Sequence, residues 1–126
     1  MGNNMSYTIT PSAQADYIIV KVVGNISQLL ALDYNLEAHA LGKQLGINRF
    51  LLEFSECRNT DTVLRNYKYV DASLRNPDIN HEACTVMLVS PGDHSHDFIE
   101  ALFRSNGSDV TIFNDRELAI SYLLRF

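Results

Sequence analysis

Asp93-His94-Ser95-His96-Asp97 is the densest grouping of side chains in this sequence that could hold a metal or move a proton. Its two histidines stand two apart, so they can share a metal only on extended backbone, because residues i and i+2 diverge on a helix. No third ligand follows at a recognisable spacing, and no metal site is expected. The plainer reading is a helix start with Asp93 or Ser95 as its N-cap. His39 and His81 have no visible partners, and Ser55 and Ser90 lie outside any GxSxG elbow. Neither a Gly-rich phosphate loop nor a GxGxxG occurs. With these checks negative, no catalytic residue and no cofactor are expected, and the chain reads as a binding module rather than an enzyme.

Two further groupings speak to binding. Arg58, Arg65, Lys68 and Arg75 place four of the ten basic residues close together in a chain of net charge −5. They read as a docking patch for an acidic partner or a phosphate-bearing ligand. The plainer reading is a solvated helix face, with Asp61 and Asp71 as i,i+4 partners of Arg65 and Arg75. Thr60 and Thr62 stand at the expected start of the same helix, where backbone N–H groups and the helix dipole would favour a phosphate. The plain alternative makes Thr60 an N-cap.

Periodicity supplies the elements that must position these groups. Tyr7–Thr10 alternates and reads as an edge strand stopped by Pro11; Tyr17–Val23 is nearly all apolar, as in a strand covered on both faces, and ends at Gly24. The short link between them predicts an antiparallel hairpin. Ser27 caps a helix to about Leu45, with Gly46 as its left-handed stop. Phe50–Phe54 is the next strand. Thr60 or Asp61 opens a second helix, which closes at Asn76 before Pro77. Cys84–Val89 is a buried strand, and a third helix covers about His94–Ser105. Val110, Ile112 and Phe113 form the last strand. Asn114 can cap the closing helix, with Glu117 reaching back and Leu118, Ile120, Leu123 and Leu124 at helical spacing.

The order ββαβαβαβα predicts an α/β fold, a mostly parallel sheet with an antiparallel N-terminal edge strand and helices packed on it. In the second helix Val63, Tyr67, Val70 and Leu74 read as the core stripe. The first helix carries two stripes, Leu29, Leu32, Leu36 and Ala40, and Leu30, Tyr34, Ala38, Leu41 and Leu45. A helix laid on a sheet needs one. The second, with Leu30, Tyr34, Leu41 and Leu45, faces a neighbouring helix, a dimer contact or a hydrophobic ligand groove.

At 126 residues and 46% apolar composition the chain suits one domain with a real core, expected over 7–126 after a disordered tail over 1–6. The negative net charge opposes nonspecific binding to nucleic acid or an anionic membrane. No apolar run approaches the roughly twenty residues of a membrane span, and no signal peptide is visible. Met-Gly-Asn-Asn-Met-Ser loosely matches the Gly2/Ser6 myristoylation pattern, which a polar start explains as well. Cys57 and Cys84 sit in or beside apolar strands as expected of reduced thiols, so a cytoplasmic location is expected.

YIIVKVVGNIS (17–27), RFLLEFSEC (49–57) and SNGSDVTIFNDRELAISYL (105–123) together resemble the small SpoIIAA-like domains of the STAS superfamily, which includes the anti-sigma-factor antagonists. The resemblance spans about residues 7–124 and implies a bacterial regulatory domain that binds a protein partner. It also implies a phosphorylated serine in an Asp-Ser-Ser-Gly-like motif at the second helix. Asn59-Thr60-Asp61-Thr62 stands at that place and the motif is absent, which leaves Thr60 and Thr62 as the phosphorylation candidates. The expectation is a non-catalytic interaction domain, possible as a homodimer, with a carrier or sensor of a small apolar or lipid-like ligand as the alternative.

Overall fold

Apolar β-branched and aromatic runs, cut by glycine, proline and Asx turns, set the strands of this chain. The computed structural model describes residues 5–125 and arranges those runs as one sheet. β1 (Ser6–Pro11), β2 (Ile18–Asn25), β3 (Arg49–Arg58), β4 (Cys84–Leu88) and β5 (Asp109–Phe113) are neighbours in that order. β1 pairs antiparallel with β2, and every later pair is parallel. α1 (Gln28–Leu45), α2 (Val63–Arg75) and α3 (Asp97–Ser105) are the crossovers, and α4 (Arg116–Leu123) follows β5. The expected ββαβαβαβα order and the antiparallel edge strand are both present.

The side-chain alternation of the strands divides the core in two. Ile18, Val20, Val22, Phe50, Phe54, Met87 and Val110 meet Ala31, Tyr34 and Ala38 of α1, Tyr69 and Val70 of α2, and Ile99 of α3. Leu51, Val86 and Leu88 face the other way, onto Ala119 and Leu123 of α4. A run of same-direction crossovers puts α1–α3 on one face, and only the element after the last strand can reach the other. α4 packs mainly on β3, β4 and β5. β2 is therefore not covered on both faces as expected: Lys21 and Val23 are exposed.

Two glycines shape α1. Gly46 ends it with φ 72°, a left-handed conformation that suits a residue without Cβ. Gly42 lies where a Cβ would stand 2.6 Å from the Ile47 carbonyl oxygen and 3.0 Å from the Phe50 ring, so a side chain there would obstruct the chain's turn back against the helix.

The buried helix faces differ from those read by apolar spacing. α1 buries Gln28, Ala31, Tyr34, Ala38, His39 and Gly42, while Leu29, Leu30 and Leu45 are exposed. Tyr34 belongs to the interior and not to a surface with Leu30 and Leu45, because its ring fills the space over Phe54. Leu41 is half-buried against the core. α2 buries Asn66, Tyr69, Val70 and Ser73 and exposes Val63 and Tyr67. α4 buries Ala119 and Leu123, with Leu118 exposed.

Three helix starts also shift. Thr62, not Thr60 or Asp61, is the N-cap of α2; Asp115, not Asn114, caps α4; and His96 precedes α3 in place of Asp93 or Ser95. In each case the loop runs on until a residue's backbone can enter the helix. Met5 packs on the core and its sulfur accepts the Ser27 N–H at 3.4 Å, and Ser6 opens β1. Two residues assigned to a tail thus belong to the fold; residues 1–4, including Gly2 of the acylation pattern, lie outside the described residues.

Candidate functional site

The C-terminal ends of β2 and β3 deliver the first turns of α1 and α2 side by side, and one carboxylate serves both. Asp61 Oδ2 accepts the Gln28 N–H of α1 at 2.9 Å, while Oδ1 accepts the Thr62 N–H at 2.9 Å and lies 3.4 Å from Arg65 Nη1. This explains why Ser27 begins α1 without using its own hydroxyl as a cap. Burial works against the Asp61 charge, but the two backbone donors and the Arg65 guanidinium outweigh it and hold the carboxyl below its ordinary range. The N-terminal partial charges of two helices thus already have an anion beside them.

A polar network runs inward from this corner. Asn59 accepts the Asp61 N–H at 3.2 Å, and its own N–H donates to Ser95 Oγ at 3.0 Å, tying the β3–α2 loop to the β4–α3 loop. Asn59 Nδ2 and Gln28 Nε2 both donate to Asn66 Oδ1, at 2.9 and 2.6 Å. Deeper between α1 and α2, the hydroxyls of Tyr34 and Tyr69 bond to each other and Ser73 bonds to Tyr69; burial pushes the Tyr69 hydroxyl up to about 12.

The 93–97 grouping divides between surface and interior. His94 is exposed and pairs with Asp97 at 3.1 Å. His96 is buried over the Phe54 ring, with Nε2 3.4 Å from the Cys57 carbonyl oxygen and 3.5 Å from Asp93 Oδ2. The two histidines therefore do not converge. Burial lowers the His96 pKa more than the Cys57 carbonyl and Asp93 raise it. Asp93 is buried too; desolvation disfavours its charge, but bonds from Ser95 and the nearby His96 and Arg58 hold it ionised.

Nucleophile candidates are engaged elsewhere. A β-bulge in β3, where Lys21 pairs with Glu53 but Val23 with Glu56, turns Cys57 into the helix face. Burial pushes its thiol up to about 12, which leaves it protonated and unreactive at neutral pH. Both cysteines are free. Ser55 Oγ donates to Glu53 at 3.1 Å, and Ser90 Oγ donates to the Ser55 carbonyl at 2.7 Å. Among the described residues no group of three or more His, Cys, Asp or Glu is placed to hold a metal.

The four basic residues do not form one free patch. Arg58 pairs with Asp93 at 3.5 Å, Arg65 with Asp61 at 3.4 Å and Arg75 with Asp71 at 3.1 Å. Lys68 is exposed, one turn beyond Leu64. Beside it the first turns of α1 and α2 display apolar side chains that fold and core leave unused: Leu29 is 73% exposed, Val63 71%, Leu64 60% and Tyr67 54%. Spacing alone assigned Leu29, Val63 and Tyr67 to the core. It also passed over Gln28, Asn59, Asn66 and Tyr69, although the buried α2 positions 66, 69, 70 and 73 follow the same i, i+3, i+4, i+7 rule when polar residues are allowed.

This architecture has a counterpart among solved structures. Over 98% of its length and 96% of the other chain, the chain is similar to an uncharacterized protein with a SpoIIAA-like fold from Shewanella loihica PV-4, 17% identical, with a TM-score of 0.58. It is also aligned over 91% of its length, and 90% of that chain, with an antisigma-factor antagonist STAS domain from Rhodobacter sphaeroides, 14% identical, with a TM-score of 0.35. No family model and no curated protein matches the sequence. No helix among the described residues is long and apolar enough to cross a membrane. The mixed five-stranded sheet and the near-complete overlap with the Shewanella protein bear out the resemblance carried by residues 17–27, 49–57 and 105–123: this chain has a SpoIIAA-like fold.

Proposed function

We propose that the chain is a non-catalytic, cytoplasmic interaction domain with a regulatory role of the anti-sigma-antagonist kind, and that it meets its protein partner at the end where α1 and α2 begin. The observation that carries this reading is the group of exposed Leu29, Val63, Leu64 and Tyr67. Exposed apolar side chains at the starts of two adjacent helices, which the core does not use, favour an interface there. Lys68 at its border, with Arg65 and Arg58 nearby, favours an acidic rim on the partner, and Arg75 extends the basic side along α2. Thr60 is the better placed of the two phosphorylation candidates, because Thr62 Oγ1 already accepts the Arg65 N–H at 3.1 Å. A phosphate at either position would meet the Asp61 carboxylate, which raises its cost.

Affinity capture with tagged native chain and with a Leu29→Ser/Leu64→Ser variant tests the surface. A specific protein retained by the native chain and lost by the variant, at unchanged melting temperature, is the expected result. Equal capture by both would overturn the assignment.

The second reading, a carrier of a small apolar or lipid-like ligand, rests on a different place. An open groove of about 810 Å³ runs between the C-terminal half of α1 and the α2–β4 loop, lined by Leu36, Ala40, Ile47, Phe50, Pro77 and Ile79. Native mass spectrometry of freshly purified protein distinguishes the two: a bound lipid supports the carrier, and a clean chain mass counts against it.

A further inference from the structure

Gln28 is a side chain that the fold buries and leaves half unused. It is 7% exposed, and its Nε2 donates to Asn66 Oδ1 at 2.6 Å, but among the described residues its Oε1 has no partner. The surrounding bonds set the amide's orientation. Asn66 Oδ1 also accepts from Asn59 Nδ2, and Asn66 Nδ2 donates to the Asp61 carbonyl at 3.5 Å. Asn66 therefore presents Gln28 with an acceptor, and the oxygen of Gln28 is the atom left over. A buried acceptor without a donor carries its full desolvation penalty, so the position favours whatever can supply a hydrogen.

Gln28 lines a cavity of about 60 Å³ between α1, α2, α3 and the sheet, which opens to the surface beside the exposed Asn80 and His81. A water-sized position needs roughly 10–15 Å³ on this measure, so the space admits about four such positions. Among the described residues no Asp, Glu, Lys or Arg lines it; the wall is made of aromatic and imidazole rings, aliphatic side chains and polar groups, with Tyr69, Phe54 and Met87 among them. At its inner end, around Gln28, the cavity thus favours an uncharged occupant over an ion. Burial keeps two of its three histidines, His39 and His96, from gaining charge; the third, His81, stands at the exposed end.

We propose that this cavity is a binding site for a small uncharged molecule of about four heavy atoms, which donates a hydroxyl or amide hydrogen to Gln28 Oε1 and lays its carbon atoms against the apolar wall. The site is separate from the surface assigned to a protein partner, and neither depends on the other.

Two probes of equal heavy-atom count separate hydrogen donation from mere filling: 2-propanol can donate, and acetone can only accept. Each is titrated into the native chain and followed by NMR, with intermolecular NOEs sought at the Met87 methyl and the Tyr69 ring. 2-Propanol is expected to give those contacts and to bind about tenfold tighter than acetone, the ratio that one hydrogen bond supplies. In Gln28→Met, which keeps the length and removes the acceptor, the two probes are expected to agree within about twofold. Equal affinities in the native chain, no contacts at Met87 and Tyr69 from either probe, or an unchanged preference in Gln28→Met would each overturn the proposal. The native comparison decides the matter even if the variant does not fold.

Discussion

The two faces of the sheet close in different ways. Beneath α4 the buried cluster is Leu51, Val86, Leu88, Ala119 and Leu123, and the one buried carboxylate nearby, Glu53, is paired with Arg116 and bonded by Ser55. Beneath α1–α3 the interior holds Gln28, His39, Asn66, Ser73 and His96, with Tyr34 and Tyr69. Apolar contact is non-directional and tolerates small shifts, whereas a buried polar group demands a partner at a set distance. The α4 layer is therefore a lock of shape, and the three-helix layer is a lock of hydrogen bonds with one bond left open. Leu29, Val63, Leu64 and Tyr67 belong to helices of the three-helix side, so both candidate sites belong to the layer that packing alone does not close, while α4 exposes Leu118.

Four outcomes would break or sharpen that contrast. Leu123→Ala is expected to cost about 3 kcal/mol, read as a lower urea midpoint at unchanged slope, and Ser73→Ala across the sheet about 1 kcal/mol. The reverse order would sink the comparison. The second outcome concerns pH. Burial lowers the His39 pKa to about 4, with the Asn80 N–H donating to its Nδ1 at 3.0 Å. Above pH 6.5 both folded and unfolded chains leave this ring neutral. As pH falls toward 4 only the unfolded chain takes the proton, so stability drops by about 3 kcal/mol across that window. His96, also lowered by burial, adds in the same direction. His39→Gln keeps an acceptor for Asn80 and should flatten urea midpoints measured between pH 6.5 and 4; an unchanged curve would remove His39 from the account.

Asp61→Ala should cost about 1–2 kcal/mol in the same assay, because one carboxylate serves two helix starts. Its folded pKa is depressed, so its contribution persists at neutral pH and disappears as the carboxyl protonates below its ordinary value of 3.8. Leu64→Ser should change stability by less than about 0.5 kcal/mol, since the residue is exposed. A larger loss would show that Leu64 belongs to the fold and not to a contact surface.

Strand positions were legible because the YIIVKVV, FLLEF and CTVML runs are apolar in any context and end at turn residues. Gly46 was legible for the same local reason. Helix faces were not. Leu29 and Val63 match helical spacing as well as Ala31 and Val70 do, and only the direction in which α1 and α2 leave the sheet decides which set is covered. Asp61 was read as a helix-start residue and a partner of Arg65. Its bond to the Gln28 N–H, thirty-three positions away, could not be seen from local spacing. Thr60 and Asn114 lost the cap role to Thr62 and Asp115 because a cap is chosen by backbone geometry at the helix entry, and neighbouring Asx and Thr residues are chemically equivalent until that geometry exists.

The sequence by itself determined the order of elements, the parallel sheet and the SpoIIAA-like wording, since these follow from local apolar runs and turn chemistry. Tertiary structure alone decided that Tyr34 faces inward, that His96 turns in to the Cys57 carbonyl while His94 stays outside, that Arg58 meets Asp93, and that among the described residues the Gln28 oxygen is left without a donor. Each of these depends on a distance between residues far apart in the chain, and no local pattern carries that distance.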